Sequence, residues 1–208
     1  MSTRDSVQAA PFERQRLLEI AARLFRENGY ERTGLRDIAK ACGILPGSLH
    51  YRYKAKEDIL IDMMTLAIER ITASIVEATA TETDPLKRMR AAIQAHVDEL
   101  LSGDDMTYVL LFEWRALRGD AAGKIIAERD RYERVWAAML DALKVKGFIR
   151  PDVDIEVMRL IGLGAVNWVA TWYKPTGRYS VSDIADAIWS MLSRGVLDAK
   201  YHAEASRL

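Results

Sequence analysis

The chain has 208 residues, half of them hydrophobic, and a mean hydropathy of −0.11, so it can bury one large core or two smaller ones. Thirty Lys and Arg balance thirty Asp and Glu, and a net charge of zero gives no whole-chain sign of a nucleic-acid partner. The one cysteine, Cys42, excludes a disulfide framework; the N-terminus carries no apolar signal core, and the longest uncharged run, Leu160–Tyr173, is too short to span a bilayer. These features predict a soluble cytoplasmic protein with no membrane attachment.

Residues 1–11 are small and polar up to Pro11 and read as a disordered arm. Leu17, Ile20, Ala21, Leu24 and Phe25 keep the spacing of one buried helical face, and Asn28-Gly29 ends that helix. Leu35, Ile38, Ala39 and Cys42 predict a second, short amphipathic helix closed by Gly43. Pro46 suits an early position in a third helix, where its missing N–H costs nothing. That helix has only Leu49 and Tyr53 to bury, so the first two must hold it, leaving its other faces free. Two helices joined by a tight Gly turn make a helix-turn-helix arrangement.

Glu57-Asp58 place negative charge at the start of a long helix with the stripe Ile59, Met63, Ala67, Ile71 and Ile75. Asp84-Pro85 opens another helix, and Gly103-Asp104 and Gly119-Asp120 punctuate two more. Ala121–Lys146 runs long to Gly147, Pro151-Asp152 starts a helix to about Tyr173, and Ser180 or Ser182 caps a last helix to about Leu197. There is no alternating strand pattern and no repeat. The expected fold is all-α with about nine helices. A helix-turn-helix domain occupies residues 12–58, and a ligand-binding and dimerisation bundle occupies 59–200.

Charge is uneven along the chain. Residues 1–60 hold 11 Lys and Arg against 8 Asp and Glu, a net of +3, and residues 36–56 hold five cations against Asp37 alone. This patch overlaps the stretch LPGSLHYRYKAKED, residues 45–58. A short helix exposing Ser48, His50, Tyr51 and Arg52, flanked by Lys54 and Lys56, suits the major groove of double-stranded DNA. Gly47 lets the backbone approach phosphate closely, and Arg36 can reach a guanine edge. The competing reading is a solvated helix whose aromatics pack inward.

ERTGLRDIAKACGILPGSLHYRYKAKEDIL resembles the DNA-binding domain of the TetR family of bacterial transcriptional repressors, with matching order and spacing over residues 12–61. The resemblance implies base and phosphate contacts from Arg36, Pro46, Gly47, Ser48, His50, Tyr51 and Lys56, with Thr33 touching phosphate near the second helix; Arg52 joins these candidates from its place on the exposed side of the same helix. Three positions depart from the family pattern. Leu45 stands at the usual Ser or Thr N-cap, His50 replaces a Tyr, and Arg52 replaces a His. They predict an operator unlike that of other members. The resemblance also implies a homodimer through the last two helices on a palindromic site. The small residues Gly162, Gly164 and Ala165 and the stripe Ile184, Ile188, Met191, Leu192 and Val196 allow it. Gly162-Leu-Gly164 follows no strand and lacks a third Gly, so it does not read as a nucleotide loop.

Aromatic and Met stripes at helical spacing are usually core, yet Asn167-Trp168 and Trp172-Tyr173-Lys174 bracket three rings with an amide and a lysine. With Phe112, Arg115, Arg118 and Trp136 they suggest an apolar pocket with a cationic rim, suited to an amphiphilic anion. NWVATWYKPTG resembles a segment of TetR-type regulators of fatty-acid and sterol catabolism. That implies an acyl-coenzyme A effector whose phosphates meet Arg115, Arg118 and Lys174. A hydrophobic drug or aromatic compound in an efflux-control system is the alternative effector. An all-α enzyme or carrier is the alternative class. Its support is thin: His50, His96 and His202 are scattered, no nucleophile constellation stands out, and Glu113 is a lone acid. No cofactor or metal is expected.

Overall fold

The computed structural model describes residues 13–208, so the arm expected over residues 1–11 lies outside the described residues. All regular structure among the described residues is helical, in ten α-helices and two short 3-10 turns. One isolated antiparallel bridge joins Ile149 and Leu197. The chain divides into two compact units. The first runs to Ala67 and adds Asp105–Ile125; the second comprises Ile68–Asp104 and Ile126–Leu208.

In the first unit, α1 (Arg14–Asn28) packs against α2 (Leu35–Cys42) and α6 (Asp105–Phe112). Because two helices flank it, α1 buries a stripe wider than one face: Leu17, Leu18, Ala21, Ala22 and Phe25. Ile20 and Leu24, expected inside, are half-buried. The start of α2 is held by Asp37, whose carboxylate accepts the Gly34 N–H at 2.9 Å. Its end is Gly43 at φ 67°, a left-handed conformation in which a side chain would be strained. This turn delivers α3 (Pro46–Arg52), which packs on α2 through the buried Leu49. α4 (Lys56–Thr79) follows at once. The Asp58 carboxylate accepts the main-chain N–H groups of Lys54 and Ala55, each at 2.9 Å, and fixes the joint between α3 and α4. Asp62, one turn on, accepts the Tyr53 hydroxyl and the Arg14 guanidinium. Burial alone would raise its pKa, but these two hydrogen bonds hold the carboxyl below the usual range.

In the second unit, α5 (Pro85–Leu100) lies against α8 (Ile155–Trp172) and α9 (Val181–Val196). α7 (Gly119–Val145) enters it from residue 126. Asp84 caps α5, accepting from the N–H groups of Leu86 and Lys87. The start of α8 falls at Ile155 rather than at Pro151-Asp152, because Asp154 accepts from the N–H groups of Glu156 and Val157. Ser180, not Ser182, caps α9, in a reciprocal pair with Asp183. Past Leu197 the chain turns back, and α10 (His202–Ala205) packs on α9. The Trp189 indole donates to the Ala205 carbonyl at 2.9 Å.

His96 on α5 is fully buried, with the Tyr132 hydroxyl 3.2 Å from its Nδ1 and the Trp136 ring 5.6 Å away. Burial pushes the imidazole pKa down to about 4, so it is neutral in the fold. In the unfolded chain it titrates near ~6.5. Between these values the unfolded chain holds a proton that the native state refuses. Stability is therefore complete above about pH 6.5 and falls as pH drops toward 4, by on the order of 3 kcal/mol in total. The urea midpoint of the second unit should drop between pH 7.5 and pH 5. His96→Phe, which cannot titrate, should flatten that drop; an unchanged slope would show that other groups cause it.

Candidate nucleic-acid interface and effector cavity

The short α3 is pinned by Leu49, 1% exposed, and by the buried ring of Tyr53 just beyond its end. With those two inside, Pro46, Gly47, Ser48, His50, Tyr51 and Arg52 are all exposed, and Tyr51 is 83% exposed. Lys54 folds back so that its ammonium donates to the His50 carbonyl at 3.1 Å and lies 5.8 Å from the Tyr51 ring. Arg36 is exposed on α2. One short helix thus offers a hydroxyl, an imidazole, a phenol and a guanidinium to solvent. These donors and acceptors match base edges and phosphates. Leu45 stands before α3, 68% exposed, and its side chain caps nothing.

Two of the expected DNA contacts are placed differently. Thr33 is 2% exposed, and its hydroxyl hydrogen bonds to the carbonyls of Gly29 and Leu24, at 3.0 and 3.3 Å. It clamps the turn after α1 instead of facing outward. Lys56 is half-buried, with its ammonium donating to the carbonyls of Tyr30 and Glu31 at 2.8 and 3.1 Å and lying 4.3 Å from the Tyr30 ring. Burial, then Glu57, Glu31 and Asp58, push the Tyr30 hydroxyl up to about 12, so that ring is neutral under the cation. Cys42 is half-buried with its thiol pushed up by burial, which disfavours a reactive thiolate.

The second unit contains a cavity of about 70 Å³ walled by α5, α7, α8 and α9. Water needs only about 10–15 Å³, so there is room for a few carbon atoms. Its wall is mostly aliphatic: Leu140, Leu143, Leu163, Val166, Leu192 and Val196 are typical. Trp136 is the one expected ligand residue among its lining, and its buried Nε1 makes no hydrogen bond. Phe112, Arg115 and Arg118 belong to the first unit. The Arg115 guanidinium lies over the Trp114 ring, and Arg118 donates to the carbonyls of Arg115 and Leu117. Asn167 is half-buried on α8, Trp168 and Trp172 are exposed, and Lys174 is exposed past the helix end. Sequence reasoning therefore missed the cavity wall, which looks like any aliphatic core. Among the described residues no cluster of His, Cys, Asp or Glu could hold a metal ion, and no helix is long and apolar enough to cross a membrane.

The outer face of α8 is apolar as well. Val157, Leu160, Ile161, Trp168 and Trp172 are exposed, Gly164 lies among them, and Met191 is exposed on α9.

A helix-turn-helix unit followed by a helical bundle with an apolar cavity defines a DNA-binding regulator. Residues 17–63 match the family model described as bacterial regulatory proteins, tetR family. Residues 82–196 match the one described as tetracyclin repressor-like, C-terminal domain. The chain belongs to the TetR family of transcriptional regulators. It is 25% identical over 185 residues to the HTH-type transcriptional repressor KstR2 of Mycobacterium tuberculosis, covering 88% of this chain and 92% of that protein. It is 26% identical over 186 residues to the fatty acid metabolism regulator protein of Bacillus subtilis, covering 86% of this chain and 93% of that one. The crystal structure of AibR in complex with isovaleryl coenzyme A and operator DNA superimposes with a TM-score of 0.77 at 29% identity, over 88% of this chain and 97% of that one.

The placement of Thr33 separates stability from recognition. Thr33→Val should lower the unfolding free energy by about 1 kcal/mol, the worth of a typical buried hydrogen bond, and leave operator affinity unchanged. Parallel denaturation and DNA titrations check this. A large loss of DNA affinity with no loss of stability would return Thr33 to the interface.

Proposed function

We propose that this protein is a cytoplasmic repressor that binds a palindromic operator as a homodimer and leaves it when a small acyl-coenzyme A thioester binds the second unit. The observation that carries the DNA half is α3, with Leu49 buried and its other residues presented to solvent. Arg36, Ser48, His50, Tyr51 and Arg52 contact bases and phosphates, with Pro46 and Gly47 keeping the backbone close to the groove wall. Lys56 holds the loop after α1, where its ammonium also lies 3.7 Å from the Glu31 carboxylate, and adds positive charge beside the phosphates. The recognition helices of the two protomers enter successive major grooves about 34 Å apart.

The exposed apolar stripe on α8, with Met191 of α9, supports the dimer. An apolar face of this extent on a soluble protein marks an association surface. The aliphatic cavity supports an apolar effector group. The likeness to AibR, solved with isovaleryl coenzyme A, and to a fatty acid metabolism regulator favours a thioester over a drug. α4 is one uninterrupted helix whose first turns belong to the first unit and whose last turns belong to the second. An effector that fits only one of two α4 positions lowers operator affinity by its differential affinity for them, typically about 5- to 150-fold.

Fluorescence anisotropy on the DNA upstream of the protein's own gene tests the reading. Wild type should bind with a steep salt dependence and be released by a short-chain acyl-coenzyme A. Tyr51→Ala should weaken binding about tenfold or more while dimerisation persists; undiminished binding would remove α3 as the reading helix. Leu160→Glu combined with Trp168→Glu should yield monomers by sedimentation, since charge on a buried apolar interface is strongly unfavourable. A persisting dimer would place the interface elsewhere.

A further inference from the structure

Among the described residues, two polar side chains other than the indoles line the cavity, Arg159 and Ser193. The Ser193 hydroxyl donates back to the Ser190 carbonyl of its own helix at 3.3 Å. Arg159 of α8 pairs with Glu133 of α7, and each of these side chains is only 20% exposed. Glu133 in turn lies 3.6 Å from Arg129 one helical turn before it. Among the described residues, the one cation on the cavity wall is therefore held by a carboxylate outside the cavity lining, which it shares with the more exposed Arg129.

This has a chemical consequence. A guanidinium on an otherwise apolar wall would be a ready receptor for a carboxylate, through two parallel charged hydrogen bonds. With Glu133 occupying it, and Arg129 exposed to screening solvent, an incoming carboxylate finds no guanidinium free to receive it and must shed its water against hydrocarbon. A neutral ester or thioester of the same chain meets no such penalty. We propose that the Glu133–Arg159 pair is a charge filter: it makes the cavity accept the neutral acyl end of an ester or thioester and refuse the free acid. The proposal rests on the reading that the cavity takes the effector's acyl group.

Probes without the coenzyme isolate the buried end. Isothermal titration of the full-length protein at pH 7.5 compares the pentanoyl thioester of N-acetylcysteamine with pentanoate. Wild type should bind the thioester at least about tenfold more tightly. Glu133→Gln leaves Arg159 uncompensated and should gain pentanoate binding by about tenfold or more. The neutral double variant Glu133→Gln/Arg159→Met should return to preferring the thioester, a reversal that a purely structural ion pair would not produce. Spectra of methyl-¹³C methionine locate the probe, because Met89 and Met158 line the cavity and must shift on binding. Equal affinity of wild type for the two probes overturns the filter. So does a Glu133→Gln protein that binds operator DNA and the thioester yet gains nothing for pentanoate. Binding of neither probe, or binding that leaves both methionines unmoved, overturns the reading of the cavity itself and the filter with it.

Discussion

Seven residues cannot sustain a helix in water, and the organisation of the first unit follows from that constraint. α3 exists because Leu49 and Tyr53 are buried, and because the segments before and after it are fixed. Gly43 sets the angle at which the chain leaves α2. Asp58 ties the joint to α4 through two main-chain donors. Asp62 holds the Tyr53 hydroxyl and, through Arg14, the start of α1. With its position secured from below and from both ends, α3 keeps its other side chains on the surface. The exposed rings and cations are then the residue of that division of labour.

The second unit solves a different problem, because α8 is apolar on two sides. Gly162, Val166 and Val169 are buried, and the first two line the cavity. Val157, Leu160, Ile161 and Trp168 face outward, with Trp168 67% exposed. A helix apolar around most of its girth is stable in water only when both faces are covered. One is covered by α5 and α9; the other is exposed in the protomer, and it is the face we propose for a second copy. Polar groups inside are few: His96 meets Tyr132 and Arg159 meets Glu133, while the Trp136 Nε1 and the Arg90 Nε are buried without a hydrogen bond.

The helices and their order were largely legible in the sequence, since glycines and aspartates punctuate strongly periodic segments. Gly29, Gly43 and Gly147 all end helices at positive φ, as their positions suggested. What the sequence hid was occupancy. Thr33 and Lys56 are the right residue types for phosphate, but nothing in their order reveals that carbonyls of the α1 turn claim a hydroxyl and an ammonium. The cavity was hidden for the opposite reason. Rings and cations drew attention to Trp168, Trp172, Arg115 and Arg118, whereas the wall is built from leucines and valines whose spacing matches ordinary core. The α10 turn was missed because four residues carry no period, and only the Trp189 indole reveals why they fold back.

Leu45 carries one further meaning. Where a hydroxyl or carboxylate would close the first turn of α3, this chain places a hydrocarbon that caps nothing. A missing cap typically leaves a helix start about 1 kcal/mol less stable. Pro46 has no N–H to satisfy, and the Leu45 carbonyl already accepts from the Ser48 and Leu49 N–H groups at 3.0 and 3.2 Å. The start of α3 is thus closed by main chain and a proline ring, where α5 and α8 close theirs with the carboxylates of Asp84 and Asp154.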